Sequence, residues 1–178
     1  GLELLLLSED PWRMVFSTDH PNGGSFMSYP RLIRLLMDRE FRKEQMALVN
    51  KKAIGKIERS HLLEREYTMQ EIAIITRAGP ARLLGLRDKG HLGPGADADI
   101  TIFENDDDKE KMFSAPRYVI KDGRCIIDDH EFRTDHRGRI FHVAPGYDTG
   151  IDMGGLRRAV GVAERLVGIE LGGRITDW

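Results

Sequence analysis

A single cysteine, Cys125, cannot form an internal disulfide, so no disulfide framework holds this chain of 178 residues. The thiol suits a reducing compartment and reads as a small buried hydrophobe rather than a nucleophile. Long apolar runs are missing as well. The longest, Leu4 to Leu7, is far shorter than the ~20 residues a bilayer span requires, and no basic region precedes it as in a secretory signal. Neither sign of charge dominates: 27 Lys and Arg stand against 29 Asp and Glu, leaving no electrostatic footprint for phosphate backbones or anionic lipid. Nucleic acid and membranes are therefore unexpected partners, and the expected setting is cytoplasmic. An initiating Met is also lacking. The opening Gly1-Leu2-Glu3-Leu4-Leu5-Leu6-Leu7 starts as though inside a helix, so the chain reads as a fragment.

Signature motifs are equally scarce. None of the six histidines stands in a His-x-His or His-Glu-x-x-His pattern, and one cysteine excludes a thiolate cluster. The sequence encodes no self-contained metal site, and His61 and His91 read as surface or turn residues. No Gly-x-Ser-x-Gly elbow, phosphate loop or Gly-x-Gly-x-x-Gly fingerprint is present either.

What is there has a clear order. Leu2 to Glu9 reads as the end of a buried helix stopped at Asp10-Pro11, and Met14-Val15-Phe16 as a short strand buried on both faces. After Pro30, Leu32, Leu35 and Leu36 mark an amphipathic helix with Arg31, Arg34 and Asp38 outside. Thr68 and Glu71 have capping-box spacing, followed by Ile72, Ala73 and Ile75 as one buried stripe. Gly79-Pro80 is expected to break that helix and start a short second one that exits at Gly85. Gly93-Pro94-Gly95 is a turn, and Ala98 to Phe103 alternates as a half-buried strand does. Asn105 to Lys111 reads as a solvated loop. Asp122-Gly123 between Tyr118–Lys121 and Arg124–Ile127 predicts a type I′ hairpin, because that turn needs positive φ at both central residues. In the tail, Leu156, Val160, Ala163 and Val167 fall at helical spacing. The regions expected are 1–87, 88–145 and 146–178.

Thr-Asp-His occurs twice. The second copy, residues 134–136, lies among charges and reads as a solvated loop. The first follows Met14-Val15-Phe16, which would put Asp19 at the C-terminal mouth of a buried parallel strand, where barrel and sheet active sites lie. A carboxylate there can hold a metal or take a proton; the alternative is that Asp19 only caps its loop by bonding nearby amides.

Ser17-Thr18-Asp19, then Gly79-Pro80-Ala81-Arg82-Leu83-Leu84-Gly85-Leu86, then Gly95-Ala96-Asp97-Ala98-Asp99-Ile100 and the Val119 to Cys125 hairpin resemble, in order, the C-terminal third of the amidohydrolase superfamily. Asp10-Pro11-Trp12-Arg13, Asp19-His20-Pro21-Asn22-Gly23-Gly24, Tyr29-Pro30, Arg65-Glu66-Tyr67-Thr68 and Met112-Phe113-Ser114-Ala115-Pro116 further resemble the family of formylmethanofuran dehydrogenase A-type subunits, which includes the α component of bacterial formyltransferase/hydrolase complexes.

That resemblance implies an α/β plus β architecture: the last strand and helices of a (β/α)8 barrel, then part of a small β-sandwich. It implies a hydrolase with two zinc ions, interconverting N-formylmethanofuran with methanofuran and formate beside the other subunits of its complex. By the same resemblance Asp19 is the metal-ligating and catalytic carboxylate, a general base that returns its proton to the leaving amine, while His20 and Asn22 face substrate. The remaining ligands lie on strands that do not map here, so this chain alone is expected to bind no catalytic metal and to be inactive. Two alternatives stay open: a different amidohydrolase, such as a cyclic-amide hydrolase, and a non-catalytic assembly subunit.

Overall fold

A computed structural model describes residues 1–50, 52 and 64–136. The expected tail stripe from Leu156 to Val167 and His61 lie outside the described residues. The described residues belong to one compact unit, 1–136.

Helix α1 (Leu2–Leu7) buries Leu5 and Leu6 and ends at Ser8, ahead of the Asp10-Pro11 stop. Helix α2 (Tyr29–Met37) starts with Pro30 in its first turn and buries Ile33 and Leu36. Helix α3 (Arg39–Ala47) begins at Asp38, whose Oδ1 accepts the Phe41 amide at 2.8 Å. Helix α4 (Met69–Ala73) opens with the expected capping box: Thr68 and Glu71 exchange bonds, side chain to backbone in both directions. Leu5, Leu6, Ile33, Leu36, Tyr67, Ile72 and Ile75 form the core, with Met14, Phe16 and Phe113 packed against it. Tyr67 ties its parts together, its amide donating to the Leu36 carbonyl at 2.9 Å and its hydroxyl to the Leu5 carbonyl at 2.5 Å.

The stretch after α4 departs from expectation in an informative way. The helix does not break at Gly79-Pro80. It widens into a π turn over Ile74–Ala78 and continues as α5 (Gly79–Leu83). The Gly79 amide donates to the Ile74 carbonyl five residues back, and the Thr76 hydroxyl donates to the Ile72 carbonyl at 2.6 Å. Ile74 is buried beside Ile72 and Ile75, and Ala73, expected in that stripe, is exposed. Glycine is required at 79 because a Cβ there would meet the Ile74 carbonyl oxygen at 2.8 Å. Gly79→Ala is expected to cost about 1–3 kcal/mol, as overpacking does, seen as a lower denaturant midpoint at constant slope. An unchanged midpoint would show that the wide turn tolerates a side chain. Gly85 then ends the helix at a φ of +71°.

The sheet is a four-stranded antiparallel meander, β1 (Ile100–Ile102), β2 (Tyr118–Lys121), β3 (Arg124–Asp128) and β4 (Glu131–Phe132). Lys121 pairs with Arg124 across Asp122-Gly123, whose φ values of +48° and +75° make the expected hairpin turn. A second tight turn at Asp129-His130, with φ of +50° and +67°, had no glycine to announce it. Of the expected solvated loop 105–111, residues 105–108 are irregular, with Asn105 and Asp107 exposed, but 109–111 are helical. Asp108 caps helix α6 (Lys109–Ser114), which packs on α2 and buries Met112. Arg34, expected outside, donates from Nη1 to both carboxylate oxygens of Asp108 at 3.0 Å and lies 4.1 Å over the Phe41 ring. Cys125 is exposed rather than buried, because β3 places it beside the hairpin turn on an open face. Among the described residues no helix is long and apolar enough to cross a membrane.

Candidate active site

The segment expected as a buried strand, Met14 to Phe16, is extended but joins no ladder, and Val15 is exposed. Without a neighbouring strand among the described residues, its backbone finds other partners. The Phe16 amide donates to the Ile75 carbonyl at 3.0 Å. That carbonyl is available because of the π turn: the Gly79 amide has gone to Ile74, and Pro80, next in line, has no N–H to offer. On its other side the Phe16 carbonyl accepts the Tyr29 hydroxyl at 3.5 Å, with the two rings edge to face at 5.3 Å. The chain leading to Asp19 is thus held from two helices.

Asp19 itself turns the chain, at a φ of +52° that Asp tolerates better than most residues. Its amide donates to the Ser17 Oγ at 3.3 Å, and its carbonyl accepts the Gly23 amide at 2.7 Å. The loop is closed by main chain. No group among the described residues donates to the Asp19 carboxylate, which is exposed, so the side chain does not cap the loop. His20 precedes a cis proline and sets its ring edge to face on Phe26, 4.8 Å between centroids. Asn22 is exposed on the same loop. Phe26 is held by a short 3-10 turn, Phe26–Ser28, capped by the Ser25 hydroxyl. The loop therefore carries Asp19, His20 and Asn22 together on an exposed surface.

A second cluster escaped the sequence reading. Asp97, Asp99 and Asp122 bring carboxylate oxygens within 4.8 Å of one another. Lys89 already sits among them at 2.7 Å from Asp97 and 2.6 Å from Asp99, and Lys121 at 2.5 Å from Asp99. The Asp122 amide also donates to Asp99 at 2.9 Å. The cluster joins the loop after α5 to the hairpin and carries its own cations. Its clue was Asp97-Ala98-Asp99, whose alternation puts two carboxylates on one side of an extended chain. His136 of the second Thr-Asp-His copy is no free loop residue either, since its Nε2 lies 3.0 Å from Asp122 Oδ2. His91 is at the surface, as expected, its Nδ1 accepting the Gly93 amide.

Partial burial pushes Asp99 up, but the hydrogen bonds from Lys121 and Lys89 outweigh it and hold the carboxyl well below the usual range. A carboxyl depressed on folding stabilises above its unfolded pKa near ~3.9 and loses that contribution as pH falls further. Asp99→Asn is therefore expected to lower the denaturant midpoint at pH 7, with the gap to wild type closing as pH drops from about 5 toward 2. A gap independent of pH would overturn this.

As to metal, Asp19 offers one oxygen donor, and no group of three donors forms around it among the described residues. Zinc sites take three or four protein ligands.

Over residues 3–127 the sequence matches the amidohydrolase family. The chain belongs to that family. This amidohydrolase chain is 47% identical over 154 residues to the A-type subunit of the formyltransferase/hydrolase complex Fhc of Methylorubrum extorquens, covering 85% of the chain and 28% of the relative. It is 43% identical over 138 residues to Protein FwdA of Methanocaldococcus jannaschii, covering 72% of the chain and 24% of the relative. A chain in the X-ray crystal structure of the formyltransferase/hydrolase complex FhcABCD from Methylorubrum extorquens, in complex with methylofuran, superposes with a TM-score of 0.77 at 43% identity. That superposition covers 96% of the amidohydrolase chain and 30% of its counterpart. The chain thus spans less than a third of the length of these relatives, and they are the kind that the Asp19 to Gly24 and Gly79 to Leu86 motifs anticipated.

Proposed function

We propose that this amidohydrolase chain is part of a formamide hydrolase that interconverts N-formylmethanofuran with methanofuran and formate, working in the cytoplasm beside the other subunits of a formyltransferase/hydrolase complex. In this reading it supplies the last strand and helices of a (β/α)8 barrel and part of a β-sandwich. One observation carries it: Asp19 ends a segment held from both sides, in a loop closed by its own main chain, so its carboxylate is left for chemistry.

An amide is a poor electrophile with a poor leaving group. Asp19 would take a proton from the attacking water as its oxygen bonds to the formyl carbon, then deliver that proton to the amine nitrogen as the C–N bond breaks and formate departs. His20 and Asn22, on the same exposed loop, would contact substrate. Two zinc ions, when bound, would polarise the formyl carbonyl; Asp19 would be one oxygen ligand and the other donors would come from outside the described residues.

The test is formate release from a formylated furan-amine cofactor by the intact complex, with a cyclic amide as competitor substrate and the 178-residue chain alone in parallel. Release by the complex and none by the chain alone is expected. Turnover of the cyclic amide only would favour a different amidohydrolase, and no turnover of either an assembly role.

A further inference from the structure

Within the Asp19 loop, Gly23 stands out for a reason unrelated to backbone freedom. Its φ is not in the left-handed region, unlike those of Gly85, Gly90, Gly95 and Gly123, so an L residue could adopt its conformation. Space is what a side chain would lack. A Cβ at position 23 would lie 2.8 Å from the Thr18 carbonyl oxygen, 2.9 Å from the Asp19 Cβ and 3.4 Å from Asp19 Oδ2. The first two are backbone and the root of a side chain, neither of which can swing aside as a flexible tip does. The Gly23 amide is meanwhile bonded to the Asp19 carbonyl at 2.7 Å, so the loop cannot open without losing that bond. At the adjacent Gly24, a Cβ would meet only the Thr18 carbonyl oxygen, at 3.7 Å, an ordinary contact.

We propose that Gly23 is a positioning residue for the Asp19 carboxylate: the absent side chain leaves the space that lets the loop close over Asp19 with its carboxylate in place. This rests on the reading of Asp19 as the proton-transferring group. A methyl at 23 must push the Asp19 Cβ outward or break the 2.7 Å bond, and misplacement approaching 1 Å can cost on the order of 10²-fold in rate.

The experiment measures formate release by the intact complex carrying Gly23→Ala, Gly24→Ala, Asp19→Asn, and the Asp19→Asn/Gly23→Ala pair. Gly23→Ala is expected to lower kcat about 10- to 100-fold with KM within about twofold, Gly24→Ala to match wild type, and Gly23→Ala to add less than about twofold in the Asp19→Asn background. Gly23→Ala behaving like Gly24→Ala, or lowering the rate equally in both backgrounds, would overturn the positioning role. Full activity of Asp19→Asn would instead remove the reading of Asp19 on which it rests. Should Gly23→Ala not assemble, Asp19→Gly and Asp19→Gly/Gly23→Ala decide. Removing the Asp19 Cβ deletes one close contact and frees the peptide to tilt from the other. Assembly of the double variant supports the proposal, and its failure beside an assembling Asp19→Gly overturns it.

Discussion

Asp19→Asn in the intact complex is expected to lower formate release by about 10²–10⁴-fold, the usual loss when a positioned proton-transfer group is removed, while the denaturant midpoint shifts by less than about 0.5 kcal/mol equivalent. The two halves of this expectation come from different features of one residue. The carboxylate is exposed and bonded to nothing among the described residues, so the fold loses no side-chain interaction when it becomes an amide. The backbone sits at a φ of +52°, which asparagine accepts as readily as aspartate. Alanine is a poorer probe, because at this φ it adds backbone strain to the loss of the acid. Single-turnover formate release together with urea titration separates the outcomes. An undiminished rate would remove Asp19 from the chemistry, and a large loss of stability would show that its side chain holds the loop after all.

Arg42→Ala is expected to cause the largest loss of stability, about 3–5 kcal/mol from carbonyls that lose a charged donor together with the cavity left by the side chain. Arg42 is 1% exposed, the one buried charged side chain among the described residues. Its guanidinium donates to the Leu35 carbonyl at 2.5 Å, the Leu36 carbonyl at 3.4 Å and the Arg65 carbonyl at 2.6 Å. The first two are end carbonyls of α2, the negative pole of that helix, and the third belongs to the chain that returns toward α4. Burial lowers the Arg42 pKa, and Glu66, Glu64 and Asp38 counter it. Removing the side chain takes a donor from the part-buried Leu35 and Arg65 carbonyls, while the Leu36 carbonyl keeps the Tyr67 amide, and opens a cavity against Leu36. Arg42→Lys is expected to recover only part of the loss, since an ammonium cannot reach the three acceptors in the planar fork of a guanidinium. A change below about 1 kcal/mol for Arg42→Ala would show that water satisfies those carbonyls.

Where local chemistry decides structure, the residues announced it. Asp122-Gly123 and Thr68 with Glu71 specify their turn and cap through contacts within four residues, and both are present. Asp19 was expected at the mouth of a buried parallel strand and instead turns the chain after an extended segment that joins no ladder. Long-range partners were not announced. Arg34 looks like an outside residue until Asp108 arrives from α6, and Arg42 looks like one of many charges in a polar stretch until three carbonyls surround it. Met14 to Phe16 has the composition of a strand, but composition does not say which carbonyl will take the Phe16 amide. The Asp97, Asp99 and Lys89 network was hidden similarly, because each charge reads as solvated when its neighbours in space are unknown.

The wide turn at Ile74–Ala78 amounts to one residue inserted into a helix. Deleting any one residue there would let the ladder close with ordinary spacing, the Gly79 amide becoming an i+4 donor to the Ile74 carbonyl while Pro80 still offers the next carbonyl no N–H. Every side chain downstream would also rotate by about 100°. The length of this short segment is therefore constrained by the packing of the buried Ala81 after it. Substitutions at the exposed Arg77 can be absorbed, but a change in residue number there cannot.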